Sequence, residues 1–355
     1  MADNLKQLRA RIDALDLEIL KLISERATAA HAIGKLKDDG TVYRPEREAQ
    51  VLRRLSEANP GPVPDKVIMH LFTEVISACR ALEDAFSVAS LGPRGTFSEE
   101  AVIKHFGGQV PVMMYTSIDE VFRSVESGNA GYGVVPMENS TEGAIGRTLD
   151  LLLSTPLRIC GEILLPVHQN LLSNGIDIAE IKIIYSHAQS LAQCNRWLAQ
   201  NCPAAERVPV ASNAEAARMA QAHAGCAAIA GRAAAGHYGL SIVADNIEDE
   251  PNNTTRFVVI SGQDVPPSGQ DKTSLVMSTR NVPGAIHELL TPLAANRVSM
   301  TRLESRPSRT GLWEYVFFLD MEGHQNDAHV ARALEEMRGL AAFLKILGSY
   351  PAAVQ

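Results

Sequence analysis

LISERATAAHAIGKLK, residues 22–37, puts an arginine where the surrounding pattern asks for a hydrophobic side chain. Back toward the N-terminus, Leu5, Leu8, Ile12, Leu15, Ile19 and Leu22 recur at steps of three and four, which makes one apolar stripe on a helix. The next step lands on Arg26, and Ala29, Ile33 and Leu36 then resume the stripe. Burying an unpaired guanidinium costs several kcal/mol, so the position demands an anion, either a protein carboxylate or a ligand. The pattern predicts one helix from about Asp3 to Asp38, roughly 50 Å long at 1.5 Å per residue. No small globule covers such a helix alone, so a homodimer is expected.

Two more helices complete an all-helical segment over residues 1–86. RPEREAQVLRRL opens one with Pro45 in the first turn, and Ile68, Phe72, Val75, Cys79 and Leu82 space out the other. Over residues 87–264 the period changes. Short apolar runs (VASL, GYGVVP, IKIIYS, CAAIA, RFVVIS) alternate with helices and with loops rich in Gly, Ser, Thr and Asn, which is α/β organisation. Loops such as GPRGTFS, MENSTEG and SHAQS precede helix N-termini and suit anions. GQDVPPSGQDKT reads as a linker. Residues 272–355 then give the order β-α-β-β-α, with a hairpin around SRTG, as in a ferredoxin-like α+β unit.

Composition narrows the function. A chain of 355 residues that is 46% hydrophobic can build two or three cores. The net charge of -8 is spread over mixed-sign faces without a Lys/Arg cluster, which argues against nucleic acid as a partner. Five scattered cysteines without a C-x-x-C pair fit reduced thiols in the cytoplasm rather than a disulfide framework or a zinc site. The N-terminus has no apolar signal core and no run of about 18 apolar residues occurs, so a membrane partner is not expected. The nearest approach to a dinucleotide fingerprint, GYGVVP, has Pro136 where the third glycine belongs, and no H-E-x-x-H is present. The chemistry is expected to need neither cofactor nor metal.

Arg26 has company. Arg9 and Lys37 fall near the same long face, and Arg47 with Glu48 opens the second helix. Singly these read as solvated helix charges; together inside a bundle they suit a small dianion. LRARIDALD, SERATAAHAIGKLK and YRPERE resemble the all-helical, domain-swapped chorismate mutases. That resemblance implies that Arg26, Arg47 and Arg9 of the partner subunit hold the two carboxylates of chorismate, with Lys37 on the ether oxygen and Glu48 on the ring hydroxyl. A unimolecular rearrangement needs only a fixed conformer and charge stabilisation at the breaking ether bond. Arg44 stands where the family has Asp, and Cys79 and Glu83 where it has Ser-x-x-x-Gln. Glu83 can donate to the ether oxygen only when protonated, which predicts a mutase favoured at mildly acidic pH unless burial raises its pKa.

GPRGTFSEEA, GVVPMENSTEGAI, IYSHAQSLAQC and NTTRF, in that order, resemble prephenate dehydratase. Taken alone, threonines at a strand start are most often structural. The resemblance implies two α/β lobes like a type-2 periplasmic binding protein, with the active site in the cleft between them. It makes Thr255 the group that assists the departing hydroxide. Arg256 is available for a carboxylate, Phe257 shapes the pocket, and Thr96, Ser98, Asn139, Ser140, Thr141 and Gln189 bind the substrate. His187 is either a general acid or a structural loop residue.

NVPGAIHELL and TRLESRPSRTGLWEYVFFLD resemble an ACT domain. The resemblance implies a phenylalanine site at a dimer interface lined by Asn281, Gly284, Ala285, Ile286, Leu303, Glu304 and Ser305, with GAIH and its His287 in place of the usual GALV. Glu304 and Arg306 could equally form an exposed ion pair. Together the resemblances imply conversion of chorismate to prephenate and then to phenylpyruvate, inhibited by phenylalanine. The rival is a non-enzymatic sensor of dimeriser, solute-binding and amino-acid-binding parts, in which Thr255 is inert.

Overall fold

The computed structural model describes residues 2–36, 42–83, 86–280, 282–307 and 315–354. Lys37, Asn281 and the SRTG turn therefore lie outside the described residues. Helix α1 (Ala2–Gly34) packs against α3 (Asp65–Arg80), and α2 (Pro45–Glu57) lies on the other side of α3. Among the described residues the stripe of α1 is left uncovered, with Leu5, Leu8, Ile12, Leu15, Ile19 and Leu22 all exposed. The helix stops at Gly34, short of the expected Asp38, and passes into a turn at residues 35–36. Gly34 leaves room for a neighbouring side chain there. A Cβ on it would come 2.9 Å from Glu83 Cγ, so the lack of a side chain lets the end of α3 cross α1.

The central unit has two lobes. The first begins with β1 (Val88–Leu91), α4 (Phe97–Phe106), β2 (Val112–Tyr115), α5 (Ile118–Glu126), β3 (Tyr132–Asn139), β4 (Gly143–Ala144), α6 (Gly146–Ser154) and β5 (Arg158–Pro166). The chain crosses to the second lobe, which runs β6 (Asn170–Ser173), β7 (Ile183–His187), α7 (Ala188–Gln193), α8 (Asn195–Asn201), β8 (Glu206–Val210), α9 (Asn213–Ala222), β9 (Cys226–Ala230), α10 (Arg232–Tyr238) and β10 (Ser241–Ala244). It then returns to the first lobe as β11 (Thr254–Ser261). The sheet orders are β2-β1-β3-β11-β5 and β10-β6-β9-β7-β8. The returning strand thus enters the middle of the first sheet. Both β3 and β11 are near-continuous apolar runs, which is what burial on both faces of a sheet requires. Two crossings between two α/β sheets give the expected cleft architecture.

The C-terminal unit comprises β12 (Asp271–Ser278), α11 (Ala285–Ala295), β13 (Met300–Pro307), β14 (Tyr315–Glu322), α12 (Ala328–Leu340) and β15 (Phe343–Pro351). The order β13-β14-β12-β15 is ferredoxin-like, and β15 closes a unit that the sequence pattern left one strand short. Its helices cover one face. The other face contributes Val276, Phe318, Leu347 and Tyr350 to a core shared with Val135, Met137, Val258 and Ile260 of the first lobe. Residues 262–270 of the linker have no regular structure, and Arg53 of α2 pins them to the chain end by donating to the carbonyls of Gln270 (2.8 Å) and Ala352 (3.3 Å). All three units meet there.

Where β15 crosses β5, a Cβ on Gly348 would stand 2.1 Å from the Ile159 carbonyl oxygen. Gly348→Ala is expected to wedge the two sheets apart at an overpacking cost of roughly 1–3 kcal/mol. Scanning calorimetry should show a lower unfolding midpoint for it and none for Gly262→Ala, whose Cβ meets nothing within 4 Å. Equal midpoints would contradict a tight seam.

Candidate active sites

The cleft between the lobes holds a cavity of about 240 Å³. Strand alternation decides what reaches it, because neighbouring side chains on β11 point to opposite faces. Thr255, only 9% exposed, faces the cleft directly across from Asn139 of β3. The Asn139 amide nitrogen donates to Thr255 Oγ1 (2.8 Å) and to Asn253 Oδ1 (2.7 Å). Its oxygen accepts from the Thr141 hydroxyl (2.6 Å), the Thr141 N–H (3.1 Å) and the Glu142 N–H (3.2 Å). That network fixes which end of the amide is which. Because the amide fills an acceptor position on Thr255, the hydroxyl proton is left to donate into the cleft.

Thr96, Ser98 and Gln189 also line the cavity. Ser140 and Thr141 do not. Ser140 Oγ accepts from the Thr254 N–H (3.0 Å) and ties the end of β3 to the start of β11, while Thr141 bonds back to the Asn139 amide oxygen. His187 lines the wall but caps α7, its Nδ1 accepting from the Gln189 N–H at 3.4 Å. Sequence reasoning missed Gln169, Ser190, Asn213 and Asn253. The first three form one relay, with Gln169 and Asn213 both donating to Ser190 Oγ (3.1 and 2.9 Å). They come from separate elements, and only Ser190 falls in a stretch the sequence marked, the SHAQS loop. Asn253 sits just ahead of the threonine pair, where it could have been found.

Arg256 and Phe257 are corrections. Arg256, 8% exposed, points to the opposite face of the sheet. It donates to Glu162 (2.9 Å), Asp320 (2.5 Å) and the Tyr350 hydroxyl (2.8 Å), while Lys272 also pairs Glu162 at 2.8 Å. Burial alone would favour loss of its proton, but Tyr350, Asp320 and Glu162 outweigh that and raise its pKa. A residue adjacent to Thr255 in a strand cannot share its face, so Arg256 clamps the sheet to the C-terminal unit. Phe257 follows a bulge in the β3 pairing and packs in the core against α4, away from the cavity.

In the helical unit Arg26, half-buried, donates to Cys79 Sγ at 3.0 Å. Among the described residues no carboxylate lies within ion-pair distance of it. Glu48 is held by Arg80 Nη1 (3.0 and 3.3 Å). Burial pushes the Glu48 carboxyl up to about 7, with Arg80 and Arg26 opposing the rise. The Glu83 side chain lies against Gly34. Arg47 and Arg9 are exposed. Arg9 precedes Arg26 by 17 residues on one straight helix, about 25 Å away, so it cannot share a site with Arg26 of the same chain.

In the C-terminal unit Gly284 takes a left-handed conformation (φ 84°) ahead of α11, with Ala285 and Ile286 in the first turn. Leu303 and Ser305 are exposed on the edge strand β13. Arg302, side chain 9% exposed, sits between Glu138 of β3 (3.0 Å) and Glu304 (3.8 Å) without an aligned hydrogen bond. Arg306 pairs with Asp150 of the first lobe at 3.1 Å rather than with Glu304. His287 is exposed.

Fold and sites define a three-part enzyme: a helical unit gathering a buried cation, a two-lobed α/β unit with a hydroxyl poised in its cleft, and a ferredoxin-like regulatory unit. Family models agree in the same order, matching chorismate mutase type II at residues 8–84, prephenate dehydratase at 88–265 and the ACT domain at 273–339. A bifunctional chorismate mutase/prephenate dehydratase from Neisseria gonorrhoeae is 54% identical over 98% of this chain and 96% of its own. Among solved structures, prephenate dehydratase from Arthrobacter aurescens in complex with L-Phe is 34% identical, with a TM-score of 0.70 over 75% of this chain and 90% of its own. A structure described as a quorum quenching acylase is 31% identical, with a TM-score of 0.69 over 75% of this chain and 98% of its own. The chain belongs to the family of bifunctional chorismate mutase/prephenate dehydratases.

Arg256→Met leaves Glu162 and Asp320 buried without their shared cation, a loss of about 3–5 kcal/mol. Urea unfolding should register it. Wild-type stability combined with a raised KM for prephenate would return Arg256 to the substrate.

Proposed function

We propose that the helical unit rearranges chorismate to prephenate and that the cleft converts prephenate to phenylpyruvate, water and carbon dioxide, under feedback by phenylalanine at the C-terminal unit. The observation that carries the reading is the Asn139–Thr255 pair. In prephenate the ring carboxylate and the hydroxyl leave together: the carbon–carboxylate bond breaks, its electrons enter the ring, and the carbon–oxygen bond opposite breaks. Aromatisation drives the step, so the enzyme has to help hydroxide depart. Thr255 donates to that oxygen, and the amide donating to Thr255 makes its hydroxyl the better donor. Thr96, Ser98, Gln189 and the Ser190 relay hold the carboxylates and keto group. Among the described residues no cleft hydroxyl is hydrogen bonded to a histidine or carboxylate, which disfavours a nucleophilic hydrolase.

The mutase site takes its dianion between Arg26, Arg47, Lys37 and Arg9 of the partner subunit. The exposed stripe of α1 and the 25 Å gap support a homodimer in which each site draws on both chains, and the scattered cysteines without a C-x-x-C pair suit the cytoplasm. The effector site takes phenylalanine at the start of α11 and along β13, with Glu304 on its ammonium group. Arg302 supports feedback, since it joins that strand to Glu138, next to Asn139.

Given chorismate, Thr255→Val should accumulate prephenate, its dehydratase kcat lower by about 10²–10⁴ and its mutase rate unchanged. Phenylpyruvate at the wild-type rate would sink the cleft assignment. Arg302→Met should bind phenylalanine yet lose most of the inhibition by it, with turnover in its absence within about twofold of wild type. Inhibition at wild-type effector concentrations would remove Arg302 from the feedback path.

A further inference from the structure

Arg80, on α3, is 6% exposed and belongs to neither set of expected site residues. One nitrogen, Nη1, holds both oxygens of Glu48. The other, Nη2, donates to the Phe106 carbonyl at the end of α4, in the dehydratase unit (2.5 Å). Its guanidinium lies 5.5–5.6 Å from the ring centroids of Tyr43, Phe86 and Phe106. The cage is itself fixed, because the Tyr43 hydroxyl meets His105 Nε2 of α4 at 2.5 Å and the Tyr43 and Phe86 rings meet Tyr132 of β3 edge-on at 5.0 Å. An arginine stacked among aromatic rings with both prongs bonded has little freedom left.

We infer that Arg80 is a positioning residue of the mutase site: the dehydratase unit anchors it, and it aims and charges the Glu48 carboxylate for the ring hydroxyl of chorismate. The inference rests on the mutase reading of the helical unit. Ionised, Glu48 accepts that hydroxyl as a carboxylate, a much stronger acceptor than the protonated acid. The groups around it are few. Arg80 and Arg26 favour the carboxylate, and Glu46 opposes it. Tyr43 and His105 stay neutral, since burial pushes the tyrosine up and the histidine down to about 3. Lys66 and His70 of α3, Lys104 of α4 and Glu162 of β5 face Glu48 across a cavity of about 530 Å³. Arg80 is the cation in direct contact, so removing it raises the pH below which Glu48 stops working.

The test compares Arg80→Met, Arg80→Lys and Glu48→Gln in the full chain, with dehydratase turnover of prephenate as the internal control. Arg80→Met should lower mutase kcat/KM at pH 7 at least about tenfold and move the acid limb of its pH profile up by about one unit, while prephenate turnover stays within about twofold. Arg80→Lys, which keeps the charge but loses the two-pronged grip, should restore the limb more than the rate. Arg80→Met added to Glu48→Gln should cost little more than Glu48→Gln alone. A wild-type mutase profile in Arg80→Met, or mutase and dehydratase falling in parallel, overturns the inference and leaves Arg80 a structural clamp. A wild-type chain that turns over prephenate but never chorismate overturns the mutase reading itself, and the inference with it.

Discussion

Two residues on each of two paired strands organise this enzyme. At the end of β3 and the start of β11, Asn139 lies opposite Thr255 and Glu138 opposite Arg256. The pleat sends the first pair into the cleft and the second toward the C-terminal sheet. Strand geometry thereby joins the cleft hydroxyl of Thr255 to the C-terminal unit with no intervening loop. One face carries an amide that orients a hydroxyl. The other carries a buried guanidinium shared by Glu162, Asp320 and Tyr350, costly to break because each partner would be left charged or polar without water. The shared core of Val135, Val258, Val276 and Leu347 surrounds this junction and keeps water out of it.

The helical unit meets the same scaffold differently. Its long helix packs against α3, and the apolar stripe of that helix stands exposed. Its second and third helices instead lean on the dehydratase unit and the C-terminal tail, through Arg80 on Phe106 and Arg53 on the linker. The helical unit is thereby held to its neighbours through buried and half-buried arginines.

Much of this was legible in the sequence. The steps of three and four that marked α1, and the break in them at Arg26, came out as a long helix with a half-buried arginine. The apolar runs of β3 and β11 came out as central strands, and the motif loops as cleft walls. What failed was direction. The stretch TTRF was read as one contiguous patch facing the substrate, although consecutive strand residues must face apart, and that alone removes Arg256 from the cleft. Gln169 and Asn213 were invisible because elements distant in sequence bring them to Ser190 of the SHAQS loop. Arg80 looked like any charge on an amphipathic helix until Phe106 closed over it. The last strand was missed because FLKILGSYP carries a glycine in mid-strand, which the close approach of β15 to the Ile159 carbonyl requires.

The claim on which the dehydratase account turns is that Asn139 and Thr255 act as one unit. Prephenate turnover by Asn139→Ala, Thr255→Val and the double variant tests it directly. If the amide works through the hydroxyl, each single change costs nearly as much as both together. Losses that simply add would mean that the two residues act separately on the substrate, and that the hydrogen bond between them is no part of the mechanism.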